Sequence, residues 1–225
     1  NWNMSNVRKT NGMFASSAFD NLANDSISGW NVTKVYTMNN MFSNTPFNRP
    51  INNWNVAAVT DMGSMFSSAK LFNQNIGSWN VTGVTTMSSM FQNAWAFNNG
   101  GDSSISGWTT TSLQNTAAMF ATASVFNQPI GNWNMSKVVN ISSMFSNAVA
   151  FNNGGDPSIS GWTINSGVTN MGSMFSGART FNQPIGSWDV KKVATFSNMF
   201  QLTDNFNQPL SGWSVYGATN MSSMF

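Results

Sequence analysis

Apolar residues fall along this chain at two spacings that alternate. Each stretch of the form W-x-V-x-x-V, such as Trp54, Val56 and Val59, has apolar and polar positions in near alternation, the pattern of a short strand with one face inward. Each is followed by M-x-x-M-F-x-x-A-x-x-F, as in Met62, Met65, Phe66, Ala69 and Phe72. These positions at i, i+3, i+4, i+7 and i+10 trace one stripe of a helix. The residue just ahead is Thr37, Asp61, Thr86, Asn115, Asn140, Asn170, Thr195 or Asn220, with Lys9 the one departure. Thr, Asp and Asn are N-cap residues, so the spacing predicts a strand, a capped start and a short helix. Two to three turns of helix do not stand alone in water.

The pattern recurs. Trp2, Trp30, Trp54, Trp79, Trp108, Trp133, Trp162, Trp188 and Trp213 are separated by 24 to 29 residues, and a Met-Phe pair, from Met13-Phe14 to Met224-Phe225, follows each of them. A 25-residue unit that buries neither face alone is stabilised by stacked copies. The expectation is therefore an α/β repeat solenoid, with one parallel sheet and short helices, about nine repeats of 24–29 residues forming a single array over 1–225. The chain starts and stops inside a repeat, which suggests a piece of a longer repeat region. Three repeats carry insertions at one point, DNLANDS after Phe19, NNGGDSS after Phe97 and NNGGDPS after Phe151. Their Gly, Asn, Asp and Pro content marks loops on one edge of the stack.

Charge changes this picture by its scarcity. Charged residues are 7% of 225, against roughly a quarter in ordinary domains, and there is no His, Glu or Cys. No base, thiolate nucleophile or metal-ligand cluster is at hand, which argues against an enzyme and against a cofactor. A net charge of +2 without a long basic run gives no reason to expect nucleic acid. No apolar run approaches the roughly 20 residues of a membrane span.

Function is then expected on the surface. Residues one and three after each Trp should face outward, and most are Asn, Thr or Ser. Asp189, Lys191 and Tyr216 depart from that neutral row and form a possible binding patch. Trp95 stands where other repeats have Lys70, Ser124, Val149, Arg179 or Asp204, and is expected to be exposed. Asn48, Asn73, Asn98, Asn127, Asn152, Asn182 and Asn207, each after the second Phe, are read as a structural ladder of amides between repeats. Asp102 and Asp156 recur in NNGGD; one carboxylate per loop is poor for calcium, so a Gly-rich turn is the better reading.

The unit WNVAAVTDMGSMFSSAKLFNQNI from Trp54 to Ile76 resembles the BspA-like repeat of bacterial surface proteins, the DUF285 family, along essentially the whole chain. I-x-x-W-x-V-x-x-V is also close in spacing to a leucine-rich-repeat strand. The resemblance implies a right-handed, leucine-rich-repeat-like coil, an extracellular or cell-surface location, and adhesion or surface assembly with no catalytic residues. The expected partner is a protein or glycan surface, with end-to-end self-association as a second mode. The alternative function is an ice-binding solenoid using the Asn, Thr and Ser rows of the open sheet face.

Overall fold

The computed structural model describes residues 2–20 and 25–225; most of the DNLANDS insertion lies outside them. Among the described residues there is no α-helix and no extended strand. The regular pieces are 3-10 turns at Asp25–Gly29, Asn99–Gly101, Ser103–Gly107, Asn153–Gly155 and Pro157–Gly161. Neighbouring repeats are joined by single-residue parallel bridges, Lys9 to Thr37 to Asp61 to Thr86 to Asn115 to Asn140, and Asn170 to Thr195 to Asn220. The expectation of an α/β solenoid with one parallel sheet and short helices, in a right-handed leucine-rich-repeat-like coil, is thus overturned. The chain is a stack of layers built from turns.

The reason lies in the backbone of the M-x-x-M-F segment. In the second repeat Asn40 has φ 56° and Asn44 φ 54°, the left-handed region that no helix interior tolerates. Bonds from Met41 N–H to the Met38 carbonyl (3.1 Å) and from Ser43 N–H to the Asn40 carbonyl (3.1 Å) close successive tight turns instead. Turns with positive φ at their third residue favour Gly or Asn there. Gly12, Asn93, Asn147, Gly177 and Asn198 occupy the equivalent places, and Ser fills many of the others. A left-handed non-glycine residue costs roughly 1 kcal/mol or more. The cost is offset because alternate N–H groups are freed to bond along the stack: Met38 to the Asp61 carbonyl (2.9 Å), Asn40 to Gly63 (2.9 Å), Phe42 to Met65 (2.9 Å) and Asn44 to Ser67 (2.7 Å). One N–H serves its own turn and the next serves the following layer, so the backbone is satisfied without helix or sheet.

Inside and outside were nevertheless read in the right places. Met62, Met65, Phe66, Ala69 and Phe72 are fully buried, because turns of about four residues return the same positions to one side. Trp54, Val56 and Val59 are buried while Asn55, Ala57 and Ala58 are exposed. This stretch also turns rather than extends, through Ala57 N–H to Asn55 Oδ1 (3.2 Å) and Val59 N–H to the Val56 carbonyl (2.9 Å). Most of the expected N-cap residues do accept the N–H two residues on, but they cap a turn; Thr37 and Asn140 do not. Asp61 Oδ1 accepts from Gly63 N–H at 2.8 Å and Asn170 Oδ1 from Gly172 N–H at 2.7 Å.

A single apolar core runs from Phe14 to Met224. Within a layer the two Phe rings stack closely, Phe66 on Phe72 at 3.8 Å, and between layers Phe66 meets Phe91 at 5.7 Å. Burying each ring is worth about 1.5–3 kcal/mol, and such aromatic pairs add about 0.5–1.5 kcal/mol. From Trp54 onward each repeat Trp is tied to the layer before it: Trp79 Nε1 donates to the Ile51 carbonyl (3.1 Å) and Trp133 Nε1 to that of Ile105 (3.0 Å). Among the described residues no buried side-chain N or O lacks a hydrogen bond.

Candidate binding surface

Much of the polar surface is committed to holding layers together. The amide row after the second Phe is the structural ladder expected of it. Asn48 Oδ1 accepts from Asn73 N–H (3.0 Å), Asn73 Oδ1 from Asn98 N–H (2.8 Å), Asn98 Oδ1 from Asn127 N–H (3.0 Å), and Asn127 Oδ1 from Asn152 N–H (2.8 Å). The Gln beside it braces the same joint, with Gln74 Nε2 donating to Asn48 Oδ1 at 2.8 Å. In the outward row after Trp, Asn31, Asn80 and Asn134 each accept from the N–H two residues on. These rows run along turns, and among the described residues there is no sheet on which an ice-ordering lattice would lie.

The two NNGGD loops are also accounted for. Asp102 Oδ1 accepts from Ser104 N–H (2.7 Å) and caps Ser103–Gly107; Asp156 does the same for Ser158 (2.8 Å), with Pro157 in the first position of that turn. The Ser104 hydroxyl, then its N–H, holds the Asp102 carboxyl below its ordinary value, and at Asp156 the Ser158 N–H leads. Sequence reasoning missed the buried amide in each loop. Asn99 Oδ1 accepts from Ile76 N–H (2.8 Å) while its Nδ2 donates to the Asp102 carbonyl (2.7 Å); Asn153 repeats this with Ile130 (2.7 Å) and Asp156 (2.5 Å). The second Asn of NNGGD, identical in both loops, was the available signal. Among the described residues no group of three acidic or metal-ligating side chains comes together.

Of the four residues singled out in the sequence, Asp189 and Lys191 come together, with Tyr216 in the next layer, and Trp95 lies beside Lys70. Lys191 Nζ pairs with Asp189 Oδ2 at 2.8 Å within its own layer, and that ammonium and the Lys191 amide hold the carboxyl of Asp189 low. Tyr216, in the next layer, is 99% exposed. Trp95 belongs to a different row. Its carbonyl accepts from Ser124 Oγ at 3.2 Å, and Lys70 Nζ lies 4.3 Å from the centre of its ring. There the structure shows more than the single Trp. Leu71 (58% exposed), Trp95 (48%), Val125 (46%) and Val149 (40%) stand on four consecutive layers, Trp95 and Val149 at one position of the repeat and Leu71 and Val125 at the next. The bonds Ala96 N–H to the Lys70 carbonyl (3.2 Å) and Ala150 N–H to that of Ser124 (3.1 Å) join those layers at this row. Beside it an open cavity of about 340 Å³ is lined by Asn44, Thr45, Pro46, Ser68, Lys70 and Leu71. Beyond Val149 the row turns polar, with Arg179 paired to Asp204 at 3.1 Å.

No helix among the described residues is long and apolar enough to cross a membrane. Neither curated proteins nor solved structures gave a match. The family described as "Mycoplasma protein of unknown function, DUF285" matches residues 1–103, 100–165 and 154–225, consecutive segments that together span the chain. The chain belongs to the DUF285 family.

Proposed function

We propose that this repeat array is a non-enzymatic module displayed on the outside of a cell, where it adheres to a protein or glycan partner through its exposed row. The observation that carries this reading is the run of Leu71, Trp95, Val125 and Val149 across four layers. Exposed apolar side chains scattered singly are ordinary, whereas one on each of four neighbouring layers, at two adjacent positions of the repeat, favours a partner. Trp is the residue type most often found at binding hot spots. The rest of the molecule supports a scaffold role, since its amides and indoles bond layer to layer. Low charge leaves little long-range steering, so adhesion would rest on contact. The test is adhesion of bead-bound protein to arrays of glycans and extracellular proteins, alongside a Leu71→Ser, Trp95→Ser double variant. Both side chains are exposed, so the fold should survive, as a thermal melt checks. The reading expects at least tenfold weaker adhesion by the variant; equal adhesion, or none by either protein, would count against it.

A further inference from the structure

The exposed row zigzags. Leu71, Trp95, Val125 and Val149 alternate between two adjacent positions of the repeat, so a large apolar side chain returns to the same side every second layer. Backbone bonds hold this alternation in register. The N–H groups of Ala96, Ala150 and Thr180 donate to the carbonyls of Lys70, Ser124 and Val149 at 3.2, 3.1 and 3.3 Å, and Ser124 Oγ donates to the Trp95 carbonyl at 3.2 Å. Neutral hydrogen-bonding side chains flank it, with Ser68, Asn93, Thr122 and Asn147 each two residues ahead of the row. Charge stands only at its ends. Lys70 opens the row and makes no ion pair among the described residues. Arg179 follows Val149 with its side chain 57% exposed, and its Nη1 meets Asp204 on the far side at 3.1 Å. Between these two cations the row carries no carboxylate.

A surface that repeats layer by layer is complementary to a ligand that repeats at the same step. Layers joined by parallel bridges lie about 5 Å apart, and one sugar of an extended polysaccharide is about as long as a layer is thick. The surface of a globular protein has no such period. Successive rings of a β-linked chain turn opposite faces outward, so their apolar C–H patches alternate from side to side, as the four apolar side chains do. We propose that the row binds a linear acidic polysaccharide of alternating uronic acid and amino sugar, laid along the stack with one sugar per layer. This rests on the reading of the row as the adhesive surface and names the class of partner. The Trp95 indole is the platform for one ring, with Lys70 Nζ 4.3 Å from its centre and so beside the carboxylate of the adjoining sugar. Lys70 and Arg179 stand four layers apart, about 20 Å, which is the advance of two disaccharides. Carboxylates on the first and fifth sugars therefore meet the two cations. Ser68, Asn93, Thr122 and Asn147 supply hydrogen bonds to ring hydroxyls. A polyphosphate chain would satisfy the cations and leave the apolar row uncovered.

Calorimetric titration with the hexasaccharide and the tetrasaccharide of alternating glucuronic acid and N-acetylglucosamine tests this. The parent chain should bind the hexasaccharide, and Trp95→Ser should weaken that binding about tenfold or more. Lys70→Gln should weaken both oligosaccharides about two- to fivefold. Arg179→Gln should weaken the hexasaccharide by a similar factor and leave the tetrasaccharide unchanged, because a tetrasaccharide anchored at Trp95 and Lys70 stops short of Arg179. The neutral hexamer of N-acetylglucosamine should bind the parent about tenfold more weakly than the acidic hexasaccharide. Thermal melts check that each variant is folded. No binding of the acidic hexasaccharide, equal binding of the neutral one, or hexasaccharide binding untouched by Trp95→Ser would overturn the proposal. Bead adhesion of the same proteins keeps the two readings apart. A chain that adheres to proteins through Leu71 and Trp95 and binds no hexasaccharide removes only the polysaccharide, whereas a chain with no adhesion through the row removes both.

Discussion

Replacing Asn127 by Ala removes the acceptor at one rung of the amide ladder and changes little else. Asn127 Oδ1 takes two backbone N–H bonds from the next repeat, Asn152 at 2.8 Å and Gly154 at 2.9 Å. A half-buried N–H left without a partner costs about 1–2 kcal/mol. Asn152 is half-buried and Gly154 exposed, so water recovers much of the second bond and the total comes to about 2 kcal/mol. For a protein of this size that lowers the melting temperature by about 4–8 °C. Asn127→Asp keeps an oxygen in the same place and should melt within about 2 °C of the parent at neutral pH. Circular dichroism melts of the three proteins, with hydrogen exchange at Asn152 and Gly154, read both effects. If Asn127→Ala melts like the parent, or if Asp is as damaging as Ala, the ladder does not hold the layers by its oxygens.

Other perturbations separate core, loop and surface. Phe145→Ala empties a site ringed by Phe120, Phe151 and Phe175 at 5.8, 3.8 and 5.6 Å and should cost about 3–5 kcal/mol; Val139→Ala, at an exposed site, should cost under about 0.5 kcal/mol in the same melts. Gly77→Ala would set a Cβ 2.8 Å from the backbone carbon of Ser104 in the capped loop of the next layer and should cost about 1–3 kcal/mol, whereas Gly29→Ala meets nothing within 4 Å and should be tolerated. Asp102, Asp156 and Asp189 have carboxyls held below their ordinary value. Their contribution is therefore full above about pH 4 and is lost as pH falls through the folded values. Urea midpoints should accordingly fall on acidification below about pH 4, and less so in an Asp102→Asn, Asp156→Asn variant.

What the sequence made legible was burial and order. Trp, Val, Met and Phe spacings placed the core residues, and the row after the second Phe was correctly read as a joint between repeats. The element types were misread for a physical reason. A helix and a run of four-residue turns both return apolar residues at i, i+3, i+4 and i+7, so Met62, Met65, Phe66 and Ala69 fit either. The residues that distinguish them are polar: Asn40, Asn44, Asn93 and Asn147 sit where φ is positive, and an Asn or Gly at every fourth position favours turns over a helix. Alternation around Trp54 and Val56 likewise fixed which side faces inward without fixing an extended backbone. The exposed row was legible only at Trp95, because Leu71 and Val125 directly precede the buried Phe72 and Phe126, and their exposure depends on how the turns are set.

The M-x-x-M-F segment is a ribbon of turns whose freed N–H groups bond along the stack. Ala118 tests this most directly. Its φ is 53°, and its N–H donates to the Ser142 carbonyl at 2.9 Å. In this conformation glycine escapes a strain of about 1–2 kcal/mol at an entropic cost of about 0.5–1 kcal/mol. In a helix interior the same change loses about 1 kcal/mol. The thermal midpoint of Ala118→Gly should therefore match or exceed that of the parent by up to about 4 °C. A fall of about 2–4 °C, the helical outcome, would contradict the account.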